Sequence, residues 1–289
     1  MKGIFLIENS KLAELEIKYL LKPKIIKQEK NIIILETNQT KKIQRMAFTK
    51  KAYEIKNITN LETYKIEKIT KNITTKDIEA TAKKLKKEHP ESKVNLTNPK
   101  TIIGITKELQ AIKIYEREKL INRRADKRPA GQKAGINPKL ARLMINLLNP
   151  KDEIYDPFAG TGGLLIEAGL MGLKTKGTEI DKKTADKALK NFKFYNINSD
   201  FKNEDALKTN IISKYIVTDP PYGRSTSNKT SIKLLIKKVI EKNNPKRIVL
   251  TMPKGTKLDL PKKAIIQERE FIYVHKSLTR ELLVISFED

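Results

Sequence analysis

Residues 153–181 read EIYDPFAGTGGLLIEAGLMGLKTKGTEID. A short apolar strand leads to Asp156, a glycine-rich turn follows, and an apolar helix runs from Gly163 to Gly172 before a second strand over Thr175–Glu179. This order of strand, turn, helix and strand is typical of one βαβ unit. Strand and helix patterns continue to alternate from Pro138 to Met252. The sequence therefore predicts an α/β fold with helices on both faces of a mostly parallel sheet.

The other elements of this half follow the same alternation. Its last two strands are extended and are expected to form a C-terminal antiparallel pair. We predict helices over Pro138–Leu148, Lys182–Asn196 and Ser231–Lys242, and strands over Glu153–Tyr155, Phe201–Glu204, Tyr215–Thr218, Arg247–Met252, Ala264–Val274 and Glu281–Phe287.

The first half of the chain alternates short strands and Lys-rich helices, with a helix capped by Ser10 and another over Thr75–Glu88. A charge-dense segment that includes Arg123-Arg-Ala-Asp-Lys-Arg128 then ends at Pro129-Ala-Gly131, and we interpret it as a linker. The expected division is residues 1–48, residues 49–110, a linker at 111–137, and a last domain at 138–289.

The chain is strongly basic. Its 60 Lys and Arg residues outweigh 34 Asp and Glu residues and give a net charge of +26. Such an excess favours polyanionic partners such as nucleic acid. The abundance of Lys, Ile and Asn also fits A/T-rich coding, and Lys enrichment occurs in adaptation to heat. The charge therefore favours a nucleic-acid partner and indicates no particular chemistry.

Composition excludes several classes of site. The chain has no cysteine, so it has neither a disulfide framework nor a thiolate metal site. Its two histidines, His89 and His275, lie far apart in the sequence, so no metal is expected. The sequence shows neither a signal peptide nor an uncharged apolar run near the roughly 20 residues of a membrane span. We expect a soluble cytoplasmic protein with no membrane contact.

The turn Asp156-Pro-Phe-Ala-Gly-Thr-Gly-Gly163 lies where a parallel sheet binds ligands, beyond the carboxyl end of a strand. Gly160 and Gly162 would let the backbone approach a ligand, and Asp156 would meet a cationic amine. The spacing differs from the full Gly-x-Gly-x-x-Gly of dinucleotide binders and from a P-loop. A tight strand–helix turn with no ligand is the competing interpretation.

Two further acids follow at strand ends. Glu179 comes 23 residues after Asp156, about where a carboxylate in a βαβ unit accepts hydrogen bonds from both ribose hydroxyls. Asp181 is expected to cap the next helix instead. Asp205, after the third strand, is placed to accept from an adenine amino group, although an acid in such a loop often has no ligand.

The turn Thr218-Asp-Pro-Pro-Tyr-Gly223 also follows an apolar strand. An exocyclic base amine is a poor nucleophile because its lone pair is delocalised into the ring. Asp219 and the Pro220 carbonyl can accept its two N–H groups and turn the lone pair toward an electrophile, while the prolines hold the peptide in place. Tyr222 offers a ring on which the base can stack. These three residues are the predicted catalytic set.

These motifs carry a resemblance to a known family. Asp156–Ala168 and Asp219–Gly223 look like motifs I and IV of class I amino-methyltransferases. With Pro138-Lys-Leu-Ala-Arg142, Thr218–Ser225 and His275-Lys-Ser-Leu-Thr-Arg280, the chain resembles the archaeal tRNA (guanine-10-N2)-methyltransferase family. The resemblance implies a Rossmann-like domain that uses S-adenosylmethionine as methyl donor. The implied cofactor-binding residues are Asp156, Phe158, Gly160, Thr161, Gly162, Glu179 and Asp205.

The resemblance also assigns the first half. It implies a ferredoxin-like segment at 1–48 and a THUMP RNA-binding domain at 49–110, because Val94-Asn-Leu-Thr-Asn-Pro-Lys100 is similar to a THUMP strand–turn element. The implied substrate is guanine N2 at position 10 of tRNA. Whether one or two methyl groups are added, and whether a small activating protein subunit is needed, stays open.

Three alternatives remain at this stage. A THUMP-bearing tRNA methyltransferase could act on another guanine of the acceptor region. A DNA adenine-N6 or cytosine-N4 methyltransferase uses the same Asp-Pro-Pro-Tyr motif, but its usual target-recognition domain has no counterpart in this first half. A catalytically dead RNA-binding module would not need Asp219, Glu179 and the glycine turn intact.

Overall fold

A computed structural model describes residues 1–132, 135–221, 231–276 and 278–288. The chain folds into two compact units, Met1–Glu118 and Lys119–Asp289, each with its own sheet. Across these described ranges, no helix combines the length and the apolar composition needed to cross a membrane.

The first unit, described over its whole length, is built on one mixed sheet. Its strands are β1 (Lys2–Ile7), β2 (Lys24–Glu29), β3 (Ile32–Glu36), β4 (Thr49–Glu54), β5 (Thr63–Lys68), β6 (Lys93–Val94), β7 (Thr101–Ile105) and β8 (Gln110–Glu116). The eight strands are ordered β2-β3-β1-β4-β8-β7-β5-β6. Two helices, α1 (Lys11–Leu21) and α2 (Thr75–Glu88), and a short 3-10 helix at Thr40–Arg45 complete the unit.

Local capping explains where both helices begin. The Ser10 side chain accepts the Ala13 N–H at 3.3 Å, which confirms the predicted cap of α1. At α2, Thr74 accepts the Asp77 N–H at 3.3 Å, and the Asp77 carboxylate accepts the Thr74 N–H at 2.7 Å. This reciprocal pair is a capping box, and α2 has the bounds that the sequence predicted.

The structure draws the domain boundaries differently from the sequence interpretation. The predicted boundary between residues 48 and 49 lies inside one sheet, because β4 pairs with β1 on one side and with β8 on the other. Strand β8 covers the start of the predicted linker at 111–137, and the rest of that segment belongs to the second unit. In β4, Ala52 and Tyr53 are fully buried, so this strand contributes to the core of the sheet. The ferredoxin-like and THUMP assignments remain a prediction.

The second unit contains the strand–helix alternation. After short 3-10 helices at Leu120–Arg123 and Ala125–Lys127, its helices are α3 (Pro138–Leu148), α4 (Gly163–Leu170), α5 (Lys182–Phe194) and α6 (Ile232–Asn243). Its strands are β9 (Glu153–Asp156), β10 (Lys174–Thr178), β11 (Ser199–Lys202), β12 (Tyr215–Thr218), β13 (Arg247–Pro253), β14 (Ala264–His275) and β15 (Leu278–Phe287).

Over its described residues this unit has one seven-stranded sheet, ordered β11-β10-β9-β12-β13-β15-β14. Strands β9 to β13 pair in parallel, whereas β15 is antiparallel to both β13 and β14. The predicted α/β fold with a C-terminal antiparallel strand pair is confirmed. Helix α6 covers part of one face, where Ile236, Val239 and Ile240 pack against Ile216, Ile248 and Leu250.

The strand order reverses beside β9. The chain proceeds outward from β9 through β10 to β11, then returns to the other side of β9 as β12. In an open α/β sheet, ligands bind beyond the carboxyl ends of the strands at such a switch point. Asp156 ends β9, and Asp219 directly follows β12. The topology therefore places both predicted motifs at the expected ligand crevice.

Candidate active site

A hydrogen bond joins the ends of the two central strands. Thr218 Oγ1 donates to Asp156 Oδ1 at 2.7 Å. These strands are parallel neighbours, with Ile216 opposite Tyr155. The glycine-rich turn and the Asp-Pro-Pro turn therefore start from adjacent points of one sheet edge.

Asp156 is an internal link between these two turns. It is only 1% exposed, and Oδ1 also accepts the Phe158 N–H at 3.1 Å. Burial raises the pKa of Asp156 to about 7, and the hydrogen bonds from Thr218 and Phe158 partly oppose this rise. The predicted contact between this carboxylate and the amine of the methyl donor remains a prediction.

The raised pKa makes the stability of the second unit depend on pH. Because the folded state holds the Asp156 proton up to about pH 7 and the ordinary value is 3.8, ionisation opposes folding increasingly as pH rises between these values. Asp156→Asn has the same shape and no charge. We expect the difference in free energy of unfolding between this variant and the original chain to grow in favour of the variant by about 2–3 kcal/mol from pH 5 to pH 8. Calorimetric unfolding at both pH values measures this gain. The exposed Asp200→Asn is the control, and a pH-independent difference between Asp156→Asn and the original chain would contradict the prediction.

The two glycines of the turn have different tasks. Both have positive φ, +56° at Gly160 and +85° at Gly162, which only glycine adopts easily. A Cβ on Gly160 would meet no heavy atom within 4 Å, so open space adjoins this backbone, as a bound ligand requires. A Cβ on Gly162 would lie 2.4 Å from the Phe192 ring. Gly162 is therefore needed for its conformation and for packing against α5, and not for the open approach to a ligand that the sequence suggested.

Thr161 also faces the interior. It is 6% exposed, and Arg128 Nη1 donates to its hydroxyl at 3.4 Å. Its backbone carbonyl accepts Asn191 Nδ2 at 3.1 Å, and Asn191 Oδ1 accepts the Ala130 N–H at 2.9 Å. These hydrogen bonds connect residues 128–130 to the buried side of the glycine turn.

Glu179 binds the backbone of the glycine turn. Its Oε2 accepts the Gly160 N–H at 3.0 Å, and its Oε1 accepts the Asp181 N–H at 2.8 Å. Burial is the main cause that raises the pKa of Glu179. The Asp181 side chain accepts the Thr184 N–H at 2.8 Å and caps α5, as predicted. Glu179 and Gly160 are therefore brought together from two different strand ends.

Asp205 lies in the loop after β11 and is half-buried. Its Oδ1 accepts the Leu207 N–H at 2.9 Å. The same loop reaches Glu179, because Asn203 Nδ2 donates to the Glu179 carbonyl at 2.8 Å. Together with Lys202, Glu204, Lys208 and Asn210, Asp205 lines a surface cleft of about 450 Å³.

Asp219 is held by two side chains from neighbouring strands. Thr251 Oγ1 donates to Oδ1 at 2.7 Å, and Arg280 Nη2 lies 3.2 Å from Oδ2. Pro220 is buried beside it. The third predicted catalytic residue, Tyr222, lies outside the described residues. A carboxylate with both oxygens oriented is thus present at the carboxyl end of β12.

The sequence interpretation missed a buried ion network behind the glycine turn. Glu167, on α4, is fully buried, and its two oxygens accept hydrogen bonds from Arg123 Nε and Arg142 Nε, each at 2.7 Å. Arg123 was expected in a solvated linker and is 9% exposed instead. A signal was available, because Glu167 is the single charge in the apolar run Leu164–Leu170, and a buried charge needs a partner.

Among the described residues, no group of three or more His, Cys, Asp or Glu side chains is placed to hold a metal ion. The acids of the crevice instead bind backbone N–H groups, hydroxyls and, at Asp219, a guanidinium.

Comparison with known proteins adds to this geometry. Residues 125–255 match the UPF0020 family, described as an RMKL-like methyltransferase domain. The chain is 35% identical to the tRNA (guanine(10)-N2)-dimethyltransferase of Methanothermobacter thermautotrophicus, across 76% of this chain and 71% of that protein. It is 32% identical to the enzyme of the same name from Methanocaldococcus jannaschii, across 75% and 67% of the two chains.

Solved structures show the same fold. TrmN from Thermus thermophilus aligns over 100% of both chains with a TM-score of 0.53 and 14% identity. SMU.472, crystallised with SAH, aligns over 100% of this chain and 98% of that chain with a TM-score of 0.51 and 13% identity. The family match covers the strand ends at Asp156, Glu179, Asp205 and Asp219.

Proposed function

Because the chain belongs to the tRNA (guanine(10)-N2)-dimethyltransferase family, we propose that it methylates N2 of guanine 10 in tRNA. It is an S-adenosylmethionine-dependent tRNA guanine-N2 methyltransferase. The observation that carries the proposal is the Asp219 carboxylate, oriented by Thr251 and Arg280 at the carboxyl end of β12. Since the substrate is tRNA, we place the reaction in the cytoplasm.

In the proposed mechanism, Asp219 makes the guanine amine a better nucleophile. S-adenosylmethionine, when bound, supplies an electrophilic methyl group on a sulfonium. The Asp219 carboxylate would accept one N–H of the guanine amine, and the Pro220 carbonyl would accept the other. The nitrogen then becomes pyramidal, and its lone pair, no longer delocalised into the ring, faces the methyl carbon. Methyl transfer would form the N–C bond as the C–S bond of the donor breaks, with the electron pair left on sulfur, and the Asp219 carboxylate would accept the proton of the N–H that it holds. Because Asp219 is already oriented, it needs little reorganisation during this step.

The residues of the crevice fit the methyl donor. The open space beside Gly160 lets backbone approach a ligand, and Glu179 borders it with a carboxylate. Glu179 would accept the ribose hydroxyls, Asp205 the adenine amino group, and Asp156 would favour the cationic amine. Phe158, Thr161 and Gly162 would shape the turn around the ligand, with the latter two acting from the buried side.

Glu179→Ala should weaken S-adenosylmethionine binding about 10- to 100-fold, the scale of hydrogen bonds to a charged group. Its bonds to ribose are equal in the ground and transition states, so kcat at saturating methyl donor should change little. Calorimetric titration and initial rates measure the two effects, with Asp200→Ala as the control for loss of an exposed acid. An unchanged Kd with a fallen kcat would refute the ribose role.

The first unit is the proposed binding surface for the RNA backbone. Helix α2 exposes Lys76, Lys83, Lys84 and Lys87, and the whole chain carries a net charge of +26. Binding through such side chains releases counterions from the RNA, so tRNA affinity should fall steeply with salt. Comparing the full chain with residues 119–289 tests this role, because the cut respects the observed boundary after Glu118. Salt-insensitive binding, or full tRNA activity without the first unit, would contradict it.

The experiment that tests the function is mass spectrometry of tRNA nucleosides after incubation with the chain and S-adenosylmethionine. N2-methylguanosine and N2,N2-dimethylguanosine differ in mass, so the experiment distinguishes one methyl group from two. Mapping on RNA fragments separates position 10 from other guanines of the acceptor region, and a DNA duplex tests the DNA alternative. Turnover by the chain alone would show that no activating subunit is required, whereas unmodified guanine at position 10 would refute the proposal.

A further inference from the structure

Arg280 lies beside the reacting end of the crevice, where its guanidinium faces the Asp219 carboxylate. It comes from β15, where it is opposite Pro253 of β13, and its Nη2 lies 3.2 Å from Asp219 Oδ2. The side chains of Arg280 and Asp219 are 13% and 16% exposed. The pair is therefore largely removed from water, where an ion pair is screened much less than at the surface.

Asp219 needs both a fixed direction and a negative charge. A free carboxylate rotates about its Cβ–Cγ bond, but here Thr251 holds one oxygen and Arg280 approaches the other. Each oxygen still has a second lone pair, which an amine N–H can use. Another acid, Asp156, bonds to the preceding residue Thr218, and coulombic repulsion from Asp219 is one cause of the raised pKa of Asp156. Among the described groups around Asp219, the guanidinium of Arg280 is a cation that favours the ionised carboxylate.

We propose that Arg280 is a positioning residue that orients the Asp219 carboxylate and keeps it ionised for the guanine amine. The inference rests on the proposed function of Asp219. The competing explanation is that the pair only ties the β14–β15 hairpin to the turn after β12. A purely structural tie would affect stability and methyl-donor binding, but it would not move the pH dependence of turnover.

The matched comparison uses two arginines of the same hairpin. Arg269, on β14, pairs with Glu281 at 3.3 Å and is 52% exposed, so Arg269→Met removes an ion pair that does not involve Asp219. Arg280→Met keeps the length of the side chain and removes its charge, whereas Arg280→Lys keeps a charge without the planar fork. Each variant is measured as the full chain for unfolding temperature, Kd for S-adenosylmethionine, and kcat on tRNA from pH 5 to pH 9.

We expect Arg280→Met to lower kcat about 10- to 100-fold and to leave Kd within about twofold, because the lost contact is to Asp219 and not to the methyl donor. An opposite charge at this distance favours the ionised acid, so its removal should shift the acid limb of the kcat profile upward by about one pH unit or more. Arg280→Lys should return the acid limb of the kcat profile close to its original pH and should recover part of kcat. Arg269→Met should keep the kcat and the acid limb of the original chain, although its unfolding temperature should fall because Glu281 is buried. A normal kcat in Arg280→Met, or a lower kcat with an unmoved acid limb, overturns the inference.

A second readout separates this inference from the proposed function. Titration of ¹³C-labelled Asp carboxyls by NMR, with Asp219→Asn used to assign the signal, follows Asp219 without any reaction. Arg280→Met should raise the pH at which this signal titrates, whatever RNA the chain methylates. If the signal shifts but the original chain leaves tRNA guanine unmodified, the proposed function fails and the pairing stands. If the signal does not shift, the inference fails.

Discussion

We expect replacement of Asp219 by alanine to lower kcat for tRNA methylation by about two to three orders of magnitude, the scale for loss of one preorganised polar group in an active site. Binding of S-adenosylmethionine should stay close to that of the original chain, because the carboxylate acts on the amine. The structure supports this expectation, since Thr251 and Arg280, from two neighbouring strands, contact the two oxygens of Asp219.

Initial rates at saturating methyl donor, together with calorimetric titration, measure the effect of Asp219→Ala. Asp259→Ala is a matched control, because Asp259 pairs with Lys237 at 2.8 Å on the surface and lies outside the crevice. Asp219→Asn addresses the loss of charge at nearly constant shape and should also be slow. A turnover near that of the original chain in Asp219→Ala would remove Asp219 from the mechanism.

We expect replacement of Glu167 by glutamine to destabilise the second unit by about 3–5 kcal/mol, the usual loss when one partner of a buried ion network is removed. Glu167 is fully buried and accepts from both Arg123 and Arg142. Glutamine has nearly the same shape but no charge, so two buried guanidinium groups lose their counter-ion. Because α4 directly follows the glycine turn, binding of the methyl donor should weaken in the same variant.

Calorimetric unfolding of the full chain measures this loss as a lower transition temperature for the second unit. The control is Glu241→Gln on the exposed face of α6, which should stay within about 0.5 kcal/mol of the original chain. Replacing Arg123, Arg142 and Glu167 together by apolar residues should recover part of the stability, because the two guanidinium groups that contact Glu167 are removed with it. A loss below about 1 kcal/mol in Glu167→Gln would show that solvent reaches the network.

Much of the catalytic unit follows from the sequence alone. Helix α3 and strand β12 have the predicted bounds, and every other predicted element of the parallel half is found within a few residues. Caps and hydrophobic periodicity are local, so neighbouring residues determine them. The sequence also determined that Asp156, Glu179, Asp205 and Asp219 share one edge, because the carboxyl ends of parallel strands point the same way.

Only the tertiary structure decided which side chains meet across the fold. Arg280 is 61 residues from Asp219, and Arg123 is 44 residues from Glu167. Strands β4 and β8 likewise pair with partners far along the chain and carry charges on their exposed sides. Periodicity cannot identify such partners, because strand pairing and burial depend on residues outside any local window. The sequence thus determined where the reacting carboxylate lies, and the fold decided what holds it there.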